Sequence, residues 1–69
     1  MEELKKELIE NKIDFEEYGH ALFLNNLSIE ITKASQFYRI INSKYYVELE
    51  QVKFFTTIEE VLNYLRTEQ

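Results

Sequence analysis

Residues 45–65, YYVELEQVKFFTTIEEVLNYL, change their hydrophobic period partway along, and that change decides the expected fold. The first part alternates bulky apolar side chains at positions 45, 47 and 49 with acidic ones, which is typical of a strand with one buried face. Tyr46 alone breaks this alternation. The second part has the spacing of an amphipathic helix, with an apolar stripe formed by Ile58, Val61, Leu62 and Leu65. The stretch therefore predicts a strand that leads into a C-terminal helix.

The junction between the two periods carries a capping box. Thr57 stands three residues before Glu60. A threonine at the N-cap accepts a hydrogen bond from the backbone amide three residues later, and the glutamate accepts one from the amide of the cap residue. We therefore expect the C-terminal helix to begin directly after Thr57.

The first residues of the chain predict a second helix, over positions 2–12. Asn11 and Lys12 are expected to end it, since asparagine tolerates the left-handed backbone that closes many helices. The apolar residues of this segment form one narrow stripe on a charged surface, made of Leu4, Leu8 and Ile9.

Between the helices the pattern predicts four or five short strands. Gly19 is the expected turn after the first strand, and Asn25-Asn26 is an expected two-residue hairpin. The connections are too short for parallel crossovers, so the sheet should be antiparallel. Apolar alternation begins at Ile13 and Phe15, and further strands are expected at 21–24, 27–32, 36–41 and 45–49, with 52–55 either extending the last strand or leading into the helix.

These elements predict a single α+β domain over residues 1–69. It should have two layers, an antiparallel meander and both helices on one face of the sheet. The helical stripe is expected to meet the sheet, while Leu4 and Leu8 close one end of the core. The strand residues expected in this core are Leu27, Ile29, Ile31, Val47 and Leu49.

Composition excludes several classes of site. The chain has no cysteine and one histidine, so it has no disulfide framework, no thiolate nucleophile and too few ligands for an ordinary zinc site. No cofactor and no metal are expected. No apolar run approaches the roughly 18 residues that a membrane-spanning helix needs, and the first residues lack the apolar core of a signal peptide. This pattern favours a cytoplasmic protein.

A carboxylate and a histidine offer one catalytic arrangement. Glu16 and Glu17 stand near His20, and such groups can transfer a proton when a pocket brings them together. A histidine beside a turn glycine in an acidic stretch is more often a solvated surface residue, and the sequence supplies no nucleophile to accompany it. We therefore predict that the protein is not an enzyme.

Nucleic-acid binding is the alternative function. Arg39, Lys44 and Lys53 stand beside aromatic residues on predicted strands, an arrangement that can stack bases and hold phosphates. Thirteen acidic residues against eight basic ones give a net charge of −5, which repels phosphate and makes nucleic acid the less favoured partner. The acidic excess could instead imitate nucleic acid, although several lysines lie among the acids.

Association with another protein chain is the favoured function. The chain contains five Phe and five Tyr, more than one face of a thin two-layer domain is expected to bury. Clustered exposed aromatics mark contact surfaces. The partner is expected to be a second copy, giving a homodimer, or a foreign protein. The predicted interface residues are Tyr38, Tyr46, Phe54, Phe55 and Tyr64.

The closing segment, residues 55–65, has the pattern F-x-T-I-E-E-V-L-x-Y-L. Together with the short N-terminal helix and the strands separated by asparagines, it resembles many small uncharacterised proteins of prophages and other mobile elements in AT-rich Gram-positive bacteria. The resemblance implies only a class, accessory proteins that bind or modulate host or phage machinery. It carries no functional residue over to this chain.

Overall fold

A computed structural model of the protein describes residues 1–43 and 51–68. Its strands form one antiparallel sheet in which the spatial order follows the chain order, so the predicted α+β meander between two helices is confirmed. The predicted strand at 45–49 lies outside the described residues. The elements are α1 (Glu2–Glu10), β1 (Glu16–Tyr18), β2 (Ala21–Leu24), β3 (Ile29–Ala34), β4 (Phe37–Asn42), β5 (Gln51–Phe55) and α2 (Ile58–Glu68).

Two of the hairpins use the shortest possible loops. Tyr18 pairs with Ala21, so Gly19 occupies the first of two loop positions, and its φ of +60° confirms the predicted turn. Positive φ at this position matches the right-handed twist of the adjoining strands, and glycine adopts it without steric cost. The β3–β4 loop is built in the same way on Ser35, whose φ is +56°.

The β2–β3 connection is longer than the sequence predicts. Leu24 pairs with Ile29, so the loop has four residues rather than the Asn25-Asn26 pair alone. Asn25, Asn26 and Leu27 all have positive φ, and the Ser28 amide closes the loop by donating to the Asn25 carbonyl oxygen at 3.2 Å. The prediction that Leu27 lies in the core is wrong, because the loop directs it to solvent, where 53% of it is exposed.

Helix α1 ends through a Schellman motif. The Lys12 amide donates to the Ile9 carbonyl oxygen, and the Ile13 amide donates to that of Leu8, which satisfies two carbonyls at the end of the helix. The left-handed residue is Lys12, with φ +59°, whereas Asn11 has φ −92°. The helix thus ends two residues earlier than predicted. Ile13 then packs against the core, and β1 begins only at Glu16.

Helix α2 begins with the predicted capping box. The Glu60 amide donates to Thr57 Oγ1 at 3.2 Å, and the Thr57 amide donates to Glu60 Oε1 at 3.1 Å. The same carboxylate oxygen also accepts from the Thr56 amide. These hydrogen bonds lower the pKa of Glu60, those from the Thr56 and Thr57 amides most strongly, because the bonds favour its charged form.

Both helices cover one face of the sheet, which we call the covered face. The cross-strand register places alternate residues of β2, β3 and β4 there, and they pack against the apolar stripes of α1 and α2. Ile58, at the start of the predicted helical stripe, is only partly buried. The buried cluster consists of Leu4, Leu8, Leu22, Leu24, Ile29, Ile31, Tyr38, Ile40, Val61, Leu62 and Leu65.

Candidate functional site

The opposite side of the sheet, which neither helix covers, carries two groups of apolar side chains, one on β1 and β2 and one on β4 and β5, with polar residues of β3 between them. We call this side the open face. Its membership follows from the strand register, because residues paired across strands point to the same side and alternate residues point to opposite sides. The open face consists of Glu16, Tyr18, Ala21, Phe23, Glu30, Thr32, Ala34, Phe37, Arg39, Ile41, Val52 and Phe54.

The large apolar side chains of the open face are well exposed. Phe54 is 59% exposed, Tyr18 55%, Phe37 44% and Val52 39%. Phe23 and Ile41 lie among them and are half-buried. Single exposed apolar residues are ordinary, but several of them clustered on one side of a sheet mark an interaction surface. The open face is therefore the strongest candidate site within residues 1–43 and 51–68.

Two aromatic pairs lie on the open face, one near each edge of the sheet. The Phe37 and Phe54 rings meet edge to face across β4 and β5, with centroids 6.4 Å apart and planes at 83°. The Tyr18 and Phe23 rings do the same across β1 and β2 at 5.6 Å and 70°. Such pairs hold the rings in fixed orientations on a rigid sheet. A partner would therefore meet pre-oriented rings.

Tyr18 also carries a polar group into the open face. Its hydroxyl donates to Glu16 Oε1 at 2.6 Å. This hydrogen bond and the negative charge of Glu16 raise the pKa of Tyr18, because both favour the protonated hydroxyl. The apolar ring thus sits beside a carboxylate that is already hydrogen-bonded within the chain.

Arg39 is the one cation of the open face. It lies on β4 opposite Thr32 of β3 and Phe54 of β5, and it is half-buried. Its Nε atom is buried and has no hydrogen-bond partner within the described part of the chain. The described residues also supply no carboxylate within ion-pair distance of it. Because Nε is itself inaccessible to solvent, another molecule would contact the exposed remainder of the Arg39 side chain.

The five predicted interface residues do not form one surface. Phe54 is on the open face, whereas Tyr46 lies outside the described residues. Tyr38, Phe55 and Tyr64 belong to the covered side: Tyr38 is 6% exposed within the core, and the Phe55 and Tyr64 rings pack together at 5.7 Å. Assigning Tyr38 to the interface is therefore wrong, because its position in β4 turns it toward the helices.

The predicted cations of the nucleic-acid alternative are also divided. Arg39 is on the open face, but Lys53 pairs with Ile40 and therefore points to the opposite side of the sheet. Lys44 lies outside the described residues. Two cations on opposite faces of the sheet cannot contact the same phosphate backbone. Among the described residues, only Arg39 lies beside the open-face aromatics.

The predicted carboxylate–histidine group is divided: Glu17 and His20 line one cleft while Glu16 is on the open face, and no hydrogen bond within residues 1–43 and 51–68 joins His20 to either carboxylate. Adjacent residues of β1 point to opposite sides, so Glu16 bonds Tyr18 while Glu17 accepts from Lys5 Nζ at 3.1 Å. Lys5 also pairs with Glu2, and these two partners raise the pKa of Lys5, the Glu2 hydrogen bond most strongly. No cluster of three or more potential metal ligands occurs in residues 1–43 and 51–68.

A shallow cleft of about 460 Å³ separates the two helices on the covered side. In this cleft the Arg66 guanidinium donates to Asn63 Oδ1 at 2.9 Å and to Asn11 Oδ1 at 3.2 Å. The second of these bonds joins α2 to the end of α1.

Sequence reasoning missed most of the open face. The sequence pattern does not single out Phe23, Ile41 or Val52, and it singles out Phe37 only beside Arg39 in the nucleic-acid alternative, because runs such as F-Y-R-I-I in β4 contain large side chains on both faces. The signal that identifies their side is the two-residue Ser35-Gln36 turn. Because this turn has two residues, Phe37 pairs with Ala34. Both lie on the side of the sheet opposite to the buried Ile29 and Ile31, so Phe37 points away from the core.

No helix within the described ranges 1–43 and 51–68 is long and apolar enough to cross a membrane. In comparisons with known proteins, the chain matches no family model, no curated protein and no solved structure.

Proposed function

We propose that the protein acts without catalysis, by binding another protein chain through the open face. The observation that carries this proposal is the row of exposed rings and aliphatic side chains on one side of the sheet, with Phe54, Tyr18 and Phe37 each more than 40% exposed. Removing this surface from water on binding is favourable in proportion to the apolar area.

The shape of the open face also favours a protein partner. Aromatic side chains held by a sheet lose little conformational entropy when they bind, and aromatic residues are enriched among the anchors of protein interfaces. Arg39, with its planar guanidinium, is the other residue type typical of such anchors. The face thus combines apolar area with one directional charged group.

Nucleic acid is the weaker candidate for the same surface. Arg39 lies beside Phe54, and stacking of bases on such a ring is physically reasonable. However, Glu16 and Glu30 are on the same face and would repel phosphates. With one cation against two carboxylates, the local charge agrees in sign with the net charge of −5.

The biological class follows from the resemblance described above. We propose an accessory protein of a prophage or another mobile element that modulates a host or phage component by contact. We place this activity in the cytoplasm, since small secreted domains of this size are commonly stabilised by disulfides and this chain has no cysteine.

Affinity capture with paired variants tests the proposal. The Phe37→Ser/Phe54→Ser variant removes two exposed rings from the open face. Ile9→Ser/Leu27→Ser is the matched control, because both residues are more than 50% exposed and lie on α1 and in a loop. Each tagged chain is used as bait in a lysate of the native host, with and without nuclease, at low and high salt.

We expect the wild type and the control to retain a protein partner at high salt and after nuclease treatment, and the open-face variant to lose it. Apolar association persists at high salt, whereas phosphate binding weakens steeply. A partner that disappears with nuclease or salt would favour the nucleic-acid alternative. Equal capture by both variants would refute the open face as the binding site.

A further inference from the structure

The open face is complementary to itself, and we infer that its occupant is a second copy of this chain, docked face to face about a two-fold axis. This inference rests on the proposed function and names the partner. In the arrangement, the axis runs across the strands, and Arg39 of each protomer lies beside the partner's Glu30.

The register orders ten of the twelve open-face residues into two rows that cross the sheet, while Ala34 and Phe37 begin a third row beside the second. Residues of the same row are paired across neighbouring strands, and the two rows are two residues apart along each strand, about 7 Å. The first row is Glu16, Phe23, Glu30, Ile41 and Val52, and the second is Tyr18, Ala21, Thr32, Arg39 and Phe54.

A two-fold axis between the rows places the first row of one protomer over the second row of the other. Phe23 then lies over the partner's Ala21, and Phe54 lies over the partner's Val52. On both strands a larger side chain faces a smaller one, as interdigitating sheets require. Because the axis is two-fold, each of these contacts occurs twice.

The charges of the face match in the same arrangement. Arg39 lies over the partner's Ile41, and the partner's Glu30 is one strand away, about 4.8 Å to the side. Face-to-face sheets are about 10 Å apart, a gap that the long arginine side chain can bridge. Within the described residues, neither Glu30 nor Arg39 makes an ion pair. A second copy supplies each of these charges with an opposite one.

The size of the face sets the strength of the dimer. Five strands at about 4.8 Å spacing and roughly 15 Å of strand length give about 350 Å² in plan for each protomer. Protruding side chains increase the accessible area, but the area buried on both protomers together remains below about 1,200 Å², at the low end for specific interfaces. We therefore expect a reversible dimer in the micromolar range.

A charge-exchange experiment tests the pairing between positions 39 and 30. Arg39→Glu places two carboxylates in the contact, and Glu30→Arg places two guanidinium groups there. The wild type, each variant alone and an equal mixture of the two variants are analysed by sedimentation equilibrium over a concentration series. Circular dichroism confirms that each variant is folded, which is expected because both residues are only partly buried.

We expect the wild type to reach twice its 8.4 kDa mass. Each variant alone should dissociate at least about tenfold more readily, because like charges then meet across the interface. The mixture should regain dimers, since the carboxylate introduced at position 39 meets the guanidinium introduced at position 30. Only contact between two chains produces this recovery, because no pairing inside one protomer depends on mixing.

Three outcomes would overturn the inference. They are a wild-type monomer throughout the series, dimers that neither single variant weakens, and a mixture that stays monomeric while both variants are folded. The proposed function is tested separately. A monomeric wild type that captures a foreign protein, with capture lost in Phe37→Ser/Phe54→Ser, would reject the homodimer and retain binding through the open face.

Discussion

The two sides of strand β4 contrast sharply although they alternate residue by residue. Ile40 is fully buried beneath the helices, whereas its neighbour Ile41 is half-buried on the open face. Tyr38 is 6% exposed and its neighbour Phe37 44%. Neighbouring residues of equal or similar hydrophobicity thus have different surroundings, because successive side chains of a strand point to opposite faces of the sheet. The side of the sheet, and not the residue type, decides which of them stabilises the fold.

This difference implies that folding and association are separable. The covered face holds the helices to the sheet and should dominate the free energy of unfolding. The open face contributes little to the fold of a single chain and should dominate binding. Substitutions chosen from the two sides of the same strand can therefore test the comparison directly, and the expected effects differ in size.

The largest effect is expected from Ile40→Ala. Removing most of a fully buried side chain should lower the free energy of unfolding by about 3 kcal/mol, since the lost packing leaves a cavity. Ile41→Ala is the matched control on the open face and should lower it by less than about 1 kcal/mol. Urea denaturation at low protein concentration measures both. Equal losses would contradict the separation of the two faces.

A smaller effect is expected from the cap of α2, one of the two helices that create the covered face. Thr57→Ala removes the hydroxyl that accepts from the Glu60 amide and should lower the free energy of unfolding by about 1 kcal/mol. Thr57→Ser keeps the hydroxyl and should remain within about 0.5 kcal/mol of wild type. Thermal unfolding followed by circular dichroism measures the change. A threonine-to-alanine variant as stable as the serine variant would contradict the role of the cap.

Helix α1 offers a change in the opposite direction. Lys12 has φ +59°, a conformation that disfavours residues with a Cβ, so Lys12→Gly should raise the free energy of unfolding by about 0.5 kcal/mol. Lys12→Ala keeps the Cβ and removes the same charge, and it should give no gain. If alanine stabilises as much as glycine, charge rather than backbone strain is responsible. Binding through the open face should be unchanged in both variants.

The smallest effect is a dependence on pH through Glu60. Its pKa is lowered by hydrogen bonds from Thr56 and Thr57, so the unfolded chain binds this proton at a higher pH than the folded chain. The contribution of the Glu60 carboxylate to the free energy of unfolding is fully present above about pH 4.3, the ordinary pKa of glutamate. It is lost as the pH falls through the lower pKa that Glu60 has in the folded chain. Glu60→Gln should therefore show a weaker loss of stability with acid in urea titrations below that pH. An unchanged acid dependence would show that Glu60 contributes nothing to it.

Local signals in the sequence were sufficient for the elements and their order. The capping box at Thr57, the turn at Gly19 and the alternation of Ile29 and Ile31 each depend on residues close together in the chain, and the structure confirms all three. The ends of elements were less accurate. Asn11 was expected to be left-handed at the end of α1, but the two Schellman hydrogen bonds select Lys12 for that conformation.

The candidate site could be predicted only in part. The prediction that Phe54 is exposed is confirmed, whereas Tyr38 is buried, and Phe37, considered only beside Arg39 in the nucleic-acid alternative, is exposed. In β4 the residues Phe37, Tyr38, Ile40 and Ile41 are all large, so the local pattern does not distinguish the two faces. A shift of one residue in register moves every side chain of a strand to the other side.

The sequence by itself determined the helices, the antiparallel meander and the turn at Gly19, because each depends on periodicity, capping or backbone preference within a few residues. Only the tertiary structure decided which aromatic side chains remain available to a partner. That choice depends on the register of β4 against β3 and on the placement of both helices on a single face. Arg39 and Phe54 share the open face because pairing across strands brings them together, 15 positions apart in the chain.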